Sequence, residues 1–144
     1  MQINELKKVS GEVYFEVRRS PDNAYLFVNW VGRQSLESIM LGGNQILALL
    51  REQPCKAVIN SNQELVGPWE VGVPYLALKW VPSAIALGLR YFAHITAPGV
   101  YGQRSYDLFK KSVQVPLLMH QFKEVSTAEL WLEAQTLARN TLQK

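Results

Sequence analysis

The sequence predicts a single α/β domain: one mixed, mostly parallel five-stranded sheet with helices packed on it, in the order β-β-α-β-α-β-α-β-α. Three observations lead there. Two runs rich in β-branched and aromatic residues flank a dense turn near the N-terminus. Short apolar runs then alternate with segments of helical periodicity. The 144 residues, 48% of them apolar, suit one core, so residues 1–144 are expected to form one domain.

The elements follow in order. Val13 to Arg18 and Ala24 to Val31 enclose Ser20-Pro21-Asp22-Asn23, turn chemistry that makes them an antiparallel hairpin. From Ser35 to Gln53, Leu36, Ile39, Met40, Gly43, Leu47 and Leu50 recur at helical spacing, with Glu37, Arg51 and Glu52 on other faces. Gly42 and Gly43 each cost that helix about 1 kcal/mol relative to alanine. Gly43 lies on the apolar side, so close approach to the sheet or another helix could offset the loss; a kink is the alternative. Cys55 to Asn60 is the third strand, reached through a helix and therefore by a right-handed parallel crossover.

Gly67-Pro68 can open a helix, but Pro74 and Pro82 lack the amide a helix interior needs, which predicts two or three short or kinked pieces. Trp69, Val73, Leu76 and Trp80 share a face of it. Gly88 suits a helix end, and Leu89 to Thr96 is the fourth strand. Ala97-Pro98-Gly99 forms a loop before a helix from Arg104 to Val113, with Tyr106, Phe109 and Val113 inward. Pro116 ends that run, and Leu117 to Phe122 is the fifth strand. Ser126-Thr127-Ala128-Glu129 has capping-box spacing ahead of a last helix carrying Leu130, Trp131, Ala134, Leu137 and Ala138.

Composition excludes several function classes. The net charge is +3, yet Lys and Arg are scattered in short pairs such as Lys7-Lys8, Arg18-Arg19 and Lys110-Lys111, which argues against a nucleic-acid partner. The one cysteine, Cys55, precludes an intrachain disulfide and sits at the head of an apolar strand, as a buried hydrophobe would. Met1 to Gly11 lacks the apolar core of a signal peptide, and no apolar stretch is long enough to span a bilayer, so a cytoplasmic protein without membrane insertion is expected. Two isolated histidines and one cysteine lack metal-ligand spacing; no metal or cofactor is expected. Exposed edge strands and apolar helix faces in so small a fold need cover, a reason to expect a homodimer.

Function should sit just past the third strand, where open α/β sheets place ligand and partner surfaces. There Asn60, Ser61, Asn62 and Glu64 precede Gly67-Pro68-Trp69-Glu70. This element order, with Tyr25 to Gly32 (YLFVNWVG), the glycine inside the first helix, Val66-Gly67-Pro68-Trp69, and Phe122 to Leu132 (FKEVSTAELWL), resembles the STAS domain. It resembles more closely the SpoIIAA-like group of small bacterial proteins, sometimes described as STAS/SEC14-like. The resemblance implies a non-enzymatic regulatory or protein-interaction module. In antagonists of anti-sigma factors within that family, a phosphorylatable Ser or Thr follows an Asp after the third strand; the counterpart here is Asn60-Ser61-Asn62, with an amide in place of the acid.

Ser61 is accordingly a candidate for phosphorylation, or a turn serine that bonds its own backbone. Asn60, Ser61, Asn62 and Glu64 are alternatively the polar end of a pocket for a small apolar ligand or lipid, walled by Trp69, Tyr75, Trp80, Leu87 and Phe92, the carrier role the SEC14 side implies. Those aromatics are equally suited to a filled core. His94 alternates with Phe92 and Thr96, so its imidazole is expected near the Ser61 loop. A Ser61–His94 pair with Glu64 or Glu70 would be the only route to nucleophilic hydrolysis, but no Gly-x-Ser-x-Gly elbow surrounds Ser61, so no catalytic residue is assigned. Tyr101, Arg104 and Tyr106 make an aromatic-basic patch for an anionic partner, or side chains snorkelling over a helix.

Overall fold

A computed structural model describes residues 3–142, with side chains described through residue 137. Its single sheet has six strands in sequential order: β1 (Ile3–Lys7), β2 (Val13–Arg19), β3 (Leu26–Trp30), β4 (Ala57–Ser61), β5 (Tyr91–Ile95) and β6 (Leu118–Phe122). The strand count corrects the expectation of five. β1 is a short edge strand whose charged and polar residues alternate with only Ile3 and Leu6, too few apolar positions to mark a strand in the sequence. The first two pairings are antiparallel and the other three parallel. The predicted hairpin forms, and Asn23 takes a left-handed conformation in its turn, with φ 58°.

Three crossover helical segments lie on one face. α1 (Leu36–Glu52) is capped by reciprocal Ser35 and Ser38 hydrogen bonds and contributes Ile39, Ile46, Leu47 and Leu50 to the main core. At its other end the hairpin supplies the cap: the Arg19 guanidinium donates to the carbonyls of Leu49, at 2.7 Å, and Gln53, at 3.0 Å. Gly43 allows the close approach weighed from the sequence, and Gly42 does so as well. A Cβ at Gly42 would fall within 2.6 Å of Trp30 Cζ3, and Trp80 Nε1–H donates to the Gly43 carbonyl at 2.9 Å.

Between β4 and β5 the chain does not break into separate pieces at its prolines. It runs through a 3-10 turn (Glu70–Gly72), α2 (Val73–Tyr75), a π-helical turn (Leu76–Trp80) and α3 (Val81–Ala86) without interruption. Pro74 and Pro82 each fall at the start of an α-helical turn, and the wider π turn lies between them. Val73, Ala77, Trp80, Val81 and Ala84 point inward. α4 (Val100–Ser112) begins four residues before the predicted start and buries Tyr106 and Phe109.

α5 (Val125–Leu142) covers the opposite face of β4 to β6, where Ala128 and Leu132 meet Ala57, Ile59, Ala93 and Ile95. Its first turn differs from the predicted capping box. The helix starts at Val125, Thr127 bonds the Glu124 carbonyl, and Glu129 accepts a 2.7 Å hydrogen bond from the Tyr25 hydroxyl. The buried positions are correspondingly Ala128 and Leu132, while Leu130 is exposed; Ala138 lies beyond the described side chains. Among the described residues no helix is long and apolar enough to cross a membrane.

Candidate functional site

Parallel register brings the carboxyl ends of β4, β5 and β6 to one rim, and the chain leaving β4 is fastened along it. Asn62 N–H donates to the Ile95 carbonyl at 2.9 Å, which joins the loop to the end of β5. Gly32 N–H donates to the Glu64 carbonyl and Val66 N–H to that of Gly32, which ties the loop to the chain after β3. On the other side Gln63 Nε2 reaches the Lys123 carbonyl just after β6. Further on, Trp69 N–H donates to Ser105 Oγ on α4 at 3.1 Å. Residues 60–69 thus adjoin residues 94–105.

Two buried side chains lock the loop from within. Trp69, 5% exposed, inserts into the main core beside His94 and Phe109. Its indole N–H donates to the Asn62 side-chain oxygen at 3.0 Å, with the Asn62 amide nitrogen turned to the Ser61 carbonyl. Trp69 and Asn62 therefore hold the loop in shape. What the loop offers outward is Gln63, Glu64, Val66, Pro68 and Val71, with Tyr101 and Arg104 exposed on the neighbouring helix.

Asn60 and His94 share the helix-bearing face, adjacent in register. Trp30 Nε1–H donates to Asn60 Oδ1 at 2.9 Å, which leaves the Asn60 amide to donate to His94 Nδ1 at 3.2 Å. His94 Nδ1 is consequently the acceptor, and the ring proton belongs on Nε2. The imidazole is completely buried and stacked 4.4 Å from the Tyr106 ring, and among the described residues neither its Nε2 nor the Tyr106 hydroxyl has a partner. Burial alone pushes the His94 pKa down to about 3, so the ring is neutral at physiological pH.

Ser61 points the other way. It is the last residue of β4, 1% exposed, on the face covered by α5, and its hydroxyl accepts from Gln63 N–H at 3.3 Å. Ser61 and His94 lie on opposite faces of the sheet, so they make no nucleophile–base pair. Glu64 instead accepts from the Asn29 amide, which also donates to Glu16 at 2.8 Å. The expected aromatic-basic patch is smaller than three residues: Tyr106 is buried, and Tyr101 and Arg104 alone face outward.

Two hollows adjoin the rim. A small, partly open hollow of about 30 Å³ is lined by Trp30, Trp69, Trp80 and Phe92 together with Asn60 and Asn62, room for a water molecule or two. An open cleft of about 620 Å³ separates Gln63 from Pro98, Gln103 and Gln121. Among the described residues no group of three or more His, Cys, Asp or Glu side chains could hold a metal ion. Val66 in the loop and Val71 in the 3-10 turn, 50% and 57% exposed, lie on the same rim and are not among the site residues that the sequence singles out.

Sheet order, one-sided crossovers and the fastened rim together define a mixed α/β domain with its helical crossovers on one face. The solved structure described as "Structure of the Anti-Sigma Factor Antagonist SpoIIAA in its Unphosphorylated Form" superimposes with a TM-score of 0.52 and 14% sequence identity, covering 81% of this chain and 96% of that one. The chain has the SpoIIAA fold. No protein-family model and no curated relative matches the sequence.

Proposed function

We propose that this chain is a non-enzymatic regulatory module that docks a protein partner on the rim formed by residues 62–72 and the outer face of α4. The reading rests on one observation: a loop held by buried Asn62 and Trp69 presents exposed Val66 and Val71, beside Tyr101 and Arg104. Apolar side chains on a preformed surface, with the exposed Arg33 beside Gly67 and Arg104 at the border, are the make-up of a protein-recognition patch. The shared fold with an anti-sigma factor antagonist supports the same class. In this reading Glu64, Tyr101 and Arg104 touch the partner, whereas Asn60, Asn62, Trp69 and His94 position the loop from beneath. Phosphorylation of Ser61 would require the loop to lift first, because its hydroxyl is buried.

The apolar-carrier reading requires movement of the helical stretch from Glu70 to Ala86, since the 30 Å³ hollow is far below the roughly 300–1,000 Å³ of ordinary ligand pockets. Affinity purification from the native host, compared with a Val66→Asp/Val71→Asp variant, tests both. A stoichiometric protein retained by the native chain and lost by the variant, with the variant's melting temperature unchanged, is the expected result, and its affinity should fall as salt rises if Arg104 takes part. Equal retention by both forms would refute the rim, and co-purification of a lipid alone would favour the carrier.

A further inference from the structure

We propose that β1 is a homodimer interface, at which a second copy of this chain adds its own β1 antiparallel and doubles the sheet. The argument starts from which backbone groups are free. Ser20 N–H bonds the Tyr25 carbonyl and Val31 N–H the Tyr14 carbonyl, both at 2.9 Å, so even-numbered residues of β2 turn their amides and carbonyls toward β3. Odd-numbered ones turn toward β1, where Val17 and Phe15 oppose Asn4 and Leu6; past Leu6 the register shift skips Tyr14, so Lys8 N–H reaches the Glu12 carbonyl and the alternation on β1 is kept. The backbone groups of Ile3, Glu5 and Lys7 therefore point off the open edge.

Two copies related by a two-fold axis normal to the sheet can join these groups in few registers, and charge selects among them. An axis at Glu5 sets Glu5 against its own copy, and one at Lys7 sets Lys7 against Lys7; like charges directly opposite are unfavourable. An axis at Leu6 pairs Glu5 with Lys7 of the second copy, twice by symmetry, both residues being exposed. In that register Leu6 meets Leu6 on the helix-bearing face, where it already packs against the main core. Ile3, 51% exposed, is carried toward Val9 of the other copy, a fully exposed residue in the β1–β2 turn. The opposite edge has no such code, because Leu118–Phe122 contains no Asp, Glu, Lys or Arg.

The interface stands apart from the rim, and its test is independent of the partner. Sedimentation equilibrium of the intact chain at about 100 µM should show a dimer, as a dissociation constant below that concentration requires. Glu5→Lys and Lys7→Glu should each weaken it about tenfold or more, since each replaces two opposite-charge contacts by two like-charge ones. The double variant should restore it, and an equimolar mixture of the two single variants should form a heterodimer. Native mass spectrometry reads both species directly. A native chain that stays monomeric, a dimer indifferent to either single variant, or failure of the double variant to restore association would each overturn the proposal. Unchanged far-ultraviolet dichroism checks that the folded protomer is intact.

Discussion

His94 shows how a histidine can be conspicuous in a sequence and chemically silent. Its neutrality is enforced from both sides: burial disfavours the cation, and the Trp30–Asn60 hydrogen bond leaves Asn60 only a donor to offer. Linkage fixes the consequence. The unfolded chain takes up a proton near the ordinary histidine value of 6.5, while the folded chain resists until about 3, so stability is intact above pH 6.5 and declines below it. Denaturant unfolding should show about 2 kcal/mol lost by pH 5 from this group. His94→Phe should flatten that slope between pH 6.5 and 5; a slope equal to that of the native chain would contradict the assignment. Asn62→Ala tests the loop in the same way. It strands the Trp69 indole N–H in the interior, and about 1–3 kcal/mol of stability should be lost in urea titration.

Helices and strands were legible to different degrees, for physical reasons. The hairpin, α1 and the strands β4, β5 and β6 announce themselves through turn residues and apolar periodicity, because those signals coincide with burial. β1 does not, since its charged and polar residues alternate with only Ile3 and Leu6 and leave no apolar run to read. The prolines at 74 and 82 signal breaks, yet the structure keeps one continuous run by widening a turn, a tertiary solution that no local rule encodes. α5 starts at Val125, one residue ahead of the capping-box residues, and it buries the small Ala128 together with Leu132 while the larger Leu130 is exposed. Gly42 allows a direct check of close packing. In an exposed helix Gly42→Ala would gain about 1 kcal/mol. Here the added methyl meets the Trp30 and Phe15 rings, and a net loss of about 1–3 kcal/mol is expected in equilibrium unfolding. The tie between Tyr25 and Glu129 makes a gentler test: Tyr25→Phe should cost about 0.5–1.5 kcal/mol and loosen α5 in hydrogen exchange before anything else.

Across the domain the same asymmetry recurs. Three crossovers stack their helices over one face, and α5 alone shields part of the other, so the candidate site falls where crossover loops converge and not on either flank. The location of that site could be read from strand order in the sequence; the direction each of its side chains faces could not. Val58 and Ile59 are both apolar because β4 is covered on both faces, which erases the alternation that would have told Asn60 from Ser61. Prebuilt contact surfaces also have a kinetic signature. Since the strap from Asn62 to Trp69 is already immobilised in the free protein, a partner would meet a stiff template and bear nearly all the disorder-to-order cost itself. Association rates should then track the partner's own plasticity, and stiffening this chain further should leave them unmoved.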